Sequence, residues 1–175
     1  MPTGEVIRLD LRTGEQTART RLPGTPWGIT TVGDRLYVSL TSRSEIVELA
    51  PNTLEPQARI PTPESPTDLT AVDRRLVVHI APQSALILLD PASGRHTVLL
   101  TSNLVFAGES ESSSAVPLLE SRESDTSLLQ VGRLSAARCT MPLLDRPGTV
   151  LATVDGAVYA ALGDYRDVIR IAPCN

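Results

Sequence analysis

Apolar and polar positions along this chain alternate in short runs, and no segment carries apolar residues at helical spacing for three turns. The clearest stretch is 26–51, PWGITTVGDRLYVSLTSRSEIVELAP. It holds three apolar runs, the first two separated by Gly33 and Asp34 and the last two by a polar loop, the pattern of a hairpin followed by a third strand. The same pattern returns without a gap at 148–173, where Val154, Tyr159, Leu162, Ala172 and Pro173 stand in the places of Val32, Tyr37, Leu40, Ala50 and Pro51. It returns again at 66–91.

Taken in order, 4–11 (GEVIRLDL) predicts a strand, Arg12 to Gly14 a turn, and 16–22 an outer, half-exposed strand. Strands follow at 27–32, 35–40, 45–50 and 56–60, with loops where prolines cluster at 23–26 and 61–66. A second cycle of four predicts strands at 68–72, 75–80, 85–90 and 96–100. A third is degraded: 104–106, a weak strand at 116–119 broken by Pro117, 128–131 and 136–144, with a polar loop across 109–126. The last cycle supplies three strands. Val6, Ile46, Leu86 and Leu128 open equivalent strands, spaced by 40, 40 and 42 residues.

A period near forty residues with four strands per unit is the signature of β-propeller blades. One such sheet has two apolar faces and cannot bury both alone; stacking sheet on sheet around an axis covers them. The fold class expected is all-β, a β-propeller of about four four-stranded antiparallel blades, closed or an arc of a larger ring, with 1–175 as a single domain. From the axis outward, the chain supplies the two outer slots of one blade, three full blades, and three inner slots. That is seventeen slots where four closed blades need sixteen. Pairing of the two ends in one shared blade would close the ring with one strand to spare. An open arc would expose its end blades and self-associate.

The chain resembles the superfamily of YVTN/NHL-like propellers and their streptogramin-lyase-like and gluconolactonase-like relatives. The residues that carry this are Pro26 through Ile29, Gly33 through Val38, Glu45 through Leu49, and the Pro91 to Gly94 turn. The Gly-His and Trp-Asp signature of WD repeats is absent, and the nearest approach to a Tyr-Val-Thr-Asn motif is Tyr37 to Leu40. The resemblance implies a ligand face where loops entering the innermost strand gather with those joining the second strand to the third. Those loops offer Trp27, Arg43, Thr67, Asp68, Gln83, Ser84, Asp164, Tyr165 and Arg166. Each has a plainer reading. Trp27 packs at a blade junction, Asp68 satisfies loop amides, Arg43, Gln83 and Ser84 are solvated, and Asp164 pairs with Arg166 on the surface.

His79 shares a strand with Val77, Val78 and Ile80 and reads as a satisfied or surface histidine; His96, just after a turn, reads as exposed. A streptogramin-lyase-like activity needs histidines and carboxylates around a metal, and only two histidines exist, in non-equivalent slots. A gluconolactonase-like activity needs Glu, Asn and Asp converging on a metal, for which Asp68 and Asn103 are the only contributors at hand, Glu109 standing in the degraded repeat. Phosphate loops, nucleophile elbows and metal-spaced Cys/His sets are absent. The expected function is therefore a non-catalytic binding module for a protein or small-molecule ligand, with no cofactor. The alternative is a relative of metal-dependent propeller lyases or lactonases, holding a divalent cation.

Composition adds limits. Aromatics make up 3% of the chain, so the core is Val, Leu, Ile and Ala. Net charge is −4 and all 16 basic residues are Arg, with no basic cluster of the kind nucleic acid requires. No run approaches the length of a membrane span, and no export signal opens the chain, which points to the cytoplasm unless a leader was removed. Cys139 and Cys174 read as two thiols, or as one disulfide.

Overall fold

The structure, a computed structural model, describes residues 4–81 and 85–101 and, beyond them, the backbone of seven strands between 104 and 171. Strands β1 (Gly4–Leu9) and β2 (Gln16–Leu22) form an antiparallel hairpin. A four-stranded sheet follows, made of β3 (Pro26–Val32), β4 (Arg35–Leu40), β5 (Glu45–Leu49) and β6 (Pro56–Pro61). The second four-stranded sheet is β7 (Pro66–Val72), β8 (Arg75–Ile80), β9 (Ala85–Leu89) and β10 (His96–Thr101). The third is β11 (Leu104–Val105), β12 (Ala115–Ser121), β13 (Thr126–Gly132) and β14 (Ala136–Cys139). Last comes a three-stranded sheet of β15 (Gly148–Val154), β16 (Ala157–Leu162) and β17 (Asp167–Ile171). Every strand pairs, antiparallel, only with its neighbours in sequence.

These are the seventeen strands that the alternation predicts, in the same order. Three expectations change. Pro117 does not break its strand: β12 runs through it, with Pro117 opposite Gln130. The polar loop between β4 and β5 holds one 3-10 turn at Thr41–Arg43, too short to count as a packed helix. The two ends do not share a sheet: the β1–β2 hairpin and the β15–β17 sheet stand as separate hydrogen-bonded units. Strand sharing therefore does not close the ring. Phe106 and Cys174 lie outside the described residues, as does the side chain of Cys139.

Alternation along the strands explains the core. Val38, Leu40, Val47 and Leu49 point to one side of the first sheet and pack with Val6 and Leu22 of the hairpin. Tyr37, Ile46 and Ile60 point to the other side and meet Leu69, Leu76, Val78 and Ile87 of the second sheet. A sheet covered on both sides needs apolar residues in consecutive positions, which is why β9 reads Ala-Leu-Ile-Leu-Leu and is buried throughout. Each such side chain contributes about 1.5–3 kcal/mol of burial.

The turn between the third and fourth strands repeats every forty residues. Asp10 accepts hydrogen bonds from the amides of Arg12 (2.8 Å) and Thr13 (3.0 Å), and Gly14 closes the turn at φ 73°. Asp90 does the same with Ala92 (3.0 Å), Ser93 adds a hydroxyl bond at 2.7 Å, and Gly94 sits at φ 69°. In the middle copy Leu54 takes the glycine's place at φ 60°, its amide bonded to the Ala50 carbonyl at 2.7 Å. Its side chain is 2% exposed, buried in the cluster between hairpin and first sheet. A left-handed non-glycine residue costs about 1–2 kcal/mol, while losing a buried leucine costs about 2–5 kcal/mol. Burial therefore wins at this position.

The β7–β8 turn shows the opposite balance: Asp73 and Arg74 are both at positive φ, 45° and 66°, and Arg74 is exposed. A paired unfolding experiment in urea separates the two cases. Leu54→Gly destabilises by about 1–3 kcal/mol although it restores the turn's preferred residue. Arg74→Gly, with no burial to lose, stabilises by about 0.5–1 kcal/mol.

Candidate functional site

The innermost strands β3 and β7 each begin with a bulge. Pro26 pairs with Leu40 and Ile29 with Val38, so Trp27 and Gly28 together oppose Ser39. Pro66 pairs with Ile80 and Leu69 with Val78, so Thr67 and Asp68 together oppose His79. In β15 the ladder shifts at the same slot, between Gly148 and Val150. A bulge re-aims the side chains it carries and leaves a backbone group without its ladder partner. Ser39 answers that need in the first sheet: it is buried, and its hydroxyl oxygen accepts from the Gly28 amide at 2.8 Å. The same hydroxyl donates to the Thr67 carbonyl at 2.5 Å, which ties the first sheet to the second. Thr41 adds a parallel tie, donating to the Pro66 carbonyl at 2.8 Å. Gly28 permits the approach, since a Cβ there would stand 2.6 Å from the Thr67 carbonyl oxygen.

Trp27, beside this seam, is 65% exposed, and Ile29, just past the bulge on β3, is 48% exposed. The packing role expected for Trp27 is thus not what the structure gives. Among the described residues, the hairpin before it packs on β4 and β5. Asp68 does not sit in a loop: it is part of β7, with its side chain 44% exposed. Its Oδ2 lies 4.0 Å from His79 Nδ1. His79 occupies the slot of Ser39, and its Nδ1 lies 2.9 Å from the Thr67 hydroxyl. Burial pushes the His79 pKa down, opposed by the Asp68 carboxylate.

Arg43 is not simply solvated. Its guanidinium lies 3.7 Å from Glu45 Oε1, an oxygen that Arg59 also contacts at 2.5 Å, and its side chain closes over Gly24. Both arginines are well exposed, so the pairs contribute little to stability. Asp164, Tyr165, Arg166, Gln83, Ser84, Asn103 and Glu109 lie outside the described residues. The structure therefore brings Trp27, Asp68 and Arg43 to the same end of the first two sheets, with Ser39, Thr67 and His79 around the seam.

Sequence reasoning missed Ser39 as a tie and the bulge that calls for it. The available signal was a glycine just inside an inner strand with a small polar residue opposite. It also missed a charged cluster at the other end of the seam. There Glu48, buried in β5, contacts Arg35 and accepts from the Tyr37 hydroxyl at 3.2 Å. Burial, then the Glu48 charge and its hydrogen bond, push the Tyr37 pKa up to about 12. At that end, too, a groove of about 370 Å³ is lined by Arg75, Asp90, Arg95 and His96 among others; His96 is exposed, as its place after a turn implies. Among the described residues no three His, Cys, Asp or Glu side chains are grouped to hold a metal ion.

Solved structures share this architecture. A catalytically inactive virginiamycin B lyase from Staphylococcus aureus, with quinupristin, matches over 95% of this chain and 62% of its own, at 13% identity and a TM-score of 0.66. BamB from Moraxella catarrhalis matches over 91% of this chain and 49% of its own, at 14% identity and TM-score 0.63. The computationally designed Ika4 protein matches over 86% of this chain and 92% of its own, at 12% identity and TM-score 0.62. At such identities the likeness is one of fold, and the fold is that of a β-propeller, its sheets stacked as blades. The chain spans about half to under two thirds of these natural structures' length. No protein family model matches the chain, and no curated protein matches it.

The His79 shift has a direct consequence for stability. The folded state prefers neutral His79, so its contribution is present above the ordinary value of 6.5 and is lost as pH falls through the lowered folded value. Urea midpoints of the wild type fall as pH drops below 6.5, and His79→Gln removes that part of the slope.

Proposed function

We propose that this chain is a binding module whose interaction surface is centred on Trp27, at the end of the blades where inner strands begin. The observation that carries the reading is the exposure of Trp27 and Ile29, two large apolar residues at the start of β3. Large apolar side chains left open together, on a rigid strand and rimmed by polar groups, are what interaction surfaces use. Asp68 and Arg43 supply opposite charges at the same end, which suits a ligand carrying both apolar and polar groups. The partner is a protein or a small molecule that offers an apolar face. By their place in the sequence between β16 and β17, Asp164, Tyr165 and Arg166 are further residues we assign to this surface.

The test compares immobilised wild-type and Trp27→Ala chains as baits for a cell lysate. Expected is at least one species retained by the wild type and reduced about tenfold or more on the variant, the scale of a lost aromatic anchor. Identical retention on both baits overturns the reading.

A second reading rests on a different observation, the carboxylate of Asp68 within 4.0 Å of His79 at the same end. In a relative of metal-dependent propeller lyases or lactonases this pair would be part of a divalent-cation site, completed by residues from other blades. Calorimetric titration with Mg²⁺, Ca²⁺ and Mn²⁺ then gives one cation per chain, weakened about tenfold or more by Asp68→Asn. Absence of binding heat for all three removes this reading.

A further inference from the structure

We propose that the groove on the second sheet, at the end away from Trp27, binds a small organic phosphate through Arg75, Arg95 and His96. This site is separate from the Trp27 surface, and neither depends on the other.

The forty-residue repeat shows what is particular to this groove. Arg35 and Arg75 open β4 and β8, each one residue before a matched pair, Leu36 with Leu49 and Leu76 with Leu89. Glu55 and Arg95 also hold one backbone place: their carbonyls accept from the amides of Ala50 and Asp90, at 2.9 and 2.8 Å. The charges in these matched places are reversed. In the first sheet Arg35 contacts the buried Glu48, and Glu55 carries a second carboxylate. In the second sheet Leu88 stands in the slot of Glu48 and Arg95 in that of Glu55. One arginine against two glutamates, with Ala50, is a formal charge of −1; two arginines against Asp90, with Leu88, is +1. The chain as a whole carries −4, so the groove is a local exception. The first sheet supplies its own anion to the arginine that opens its second strand; the second sheet leaves that place to a solute.

The groove has room for one. Its volume of about 370 Å³ lies at the lower end of the roughly 300–1,000 Å³ of small-molecule sites, and Arg75, Leu88, Asp90, Arg95, His96 and Thr97 are among its lining. Arg75, Arg95 and His96 are exposed and can reach a solute there. Asp90 is committed to its own turn. Its Oδ2 accepts from the Ser93 hydroxyl at 2.7 Å and its Oδ1 from the Ala92 amide at 3.0 Å. Those bonds, Ser93 first, hold its carboxyl below the usual carboxylate range, and the Arg75 charge adds to them. Asp90 is thus one fixed negative charge, outnumbered by two guanidiniums.

The donors select the anion. Arg75 is on β8 and Arg95 just before β10, so two guanidinium forks reach the groove from separate strands. His96 adds a ring N–H and Thr97 a hydroxyl. A carboxylate has two oxygens to offer such a set. A phosphate monoester has three terminal oxygens and a charge of about −1.5 to −2. Leu88, in place of a carboxylate, gives the floor an apolar spot for the organic part.

Calorimetric titration of the full chain with phenyl phosphate at low ionic strength, with phosphorus NMR line widths as a second readout, tests this. One site per chain is expected, with benzoate about tenfold weaker or more. Arg95→Glu restores the first sheet's residue at an exposed position and weakens phenyl phosphate about tenfold or more; Arg75→Gln gives a loss of similar size. Both variants keep the β-sheet circular dichroism spectrum and a cooperative urea transition. Arg19→Gln, on the hairpin, leaves the affinity unchanged. No binding by the wild type in either readout overturns the proposal. So does an equal loss in Arg19→Gln, which is attraction by overall charge, and so does benzoate as tight as phenyl phosphate. A phosphoserine peptide bound about tenfold more tightly than phenyl phosphate overturns the small-molecule assignment in favour of a phosphorylated protein.

Discussion

The structure depends on a constraint of coverage: a four-stranded sheet with apolar residues on both sides is stable only between two neighbours. The junction of β3 and β7 shows how tightly that is met. Gly28 lets two backbones come together, and the buried Ser39 hydroxyl spans them, accepting from one strand and donating to the next. A hydroxyl can serve there because it is donor and acceptor at once. The apolar cluster beneath, from Tyr37 and Ile46 to Leu76 and Ile87, then closes between the two sheets.

The same constraint explains the exceptions. Leu54 holds a backbone conformation suited to glycine because its side chain is needed between the hairpin and the first sheet. Glu48 is buried because Arg35 and the Tyr37 hydroxyl meet it at the edge of the seam. Trp27 and Ile29 stand exposed at the start of β3, while the hairpin packs on β4 and β5. Packing inside the stack is repeated from sheet to sheet; the chemistry that differs is at its ends.

The candidate site follows from the bulge at the start of each inner strand. An extra residue there turns Trp27 outward in one copy and brings Asp68 beside His79 in the next. Because the bulge recurs at one slot, evolution can vary the residues it displays without altering the stack. The groups at this end therefore differ between copies while the backbone does not.

Much of the fold was legible in the sequence, since alternation and a forty-residue period are local properties that survive without knowledge of contacts. Strand order, the slots of Val6, Ile46 and Leu86, and the Asp10 and Asp90 turns all follow from spacing and residue type. The continuity of β12 through Pro117, the burial of Glu48 and the exposure of Trp27 did not. Each depends on which neighbour lies across a strand or a sheet, and spacing along the chain does not encode that. Sequence by itself determined that this protein is a series of flat sheets that must stack. Only the tertiary structure decided which sides remain open, because exposure is a property of what lies opposite in space.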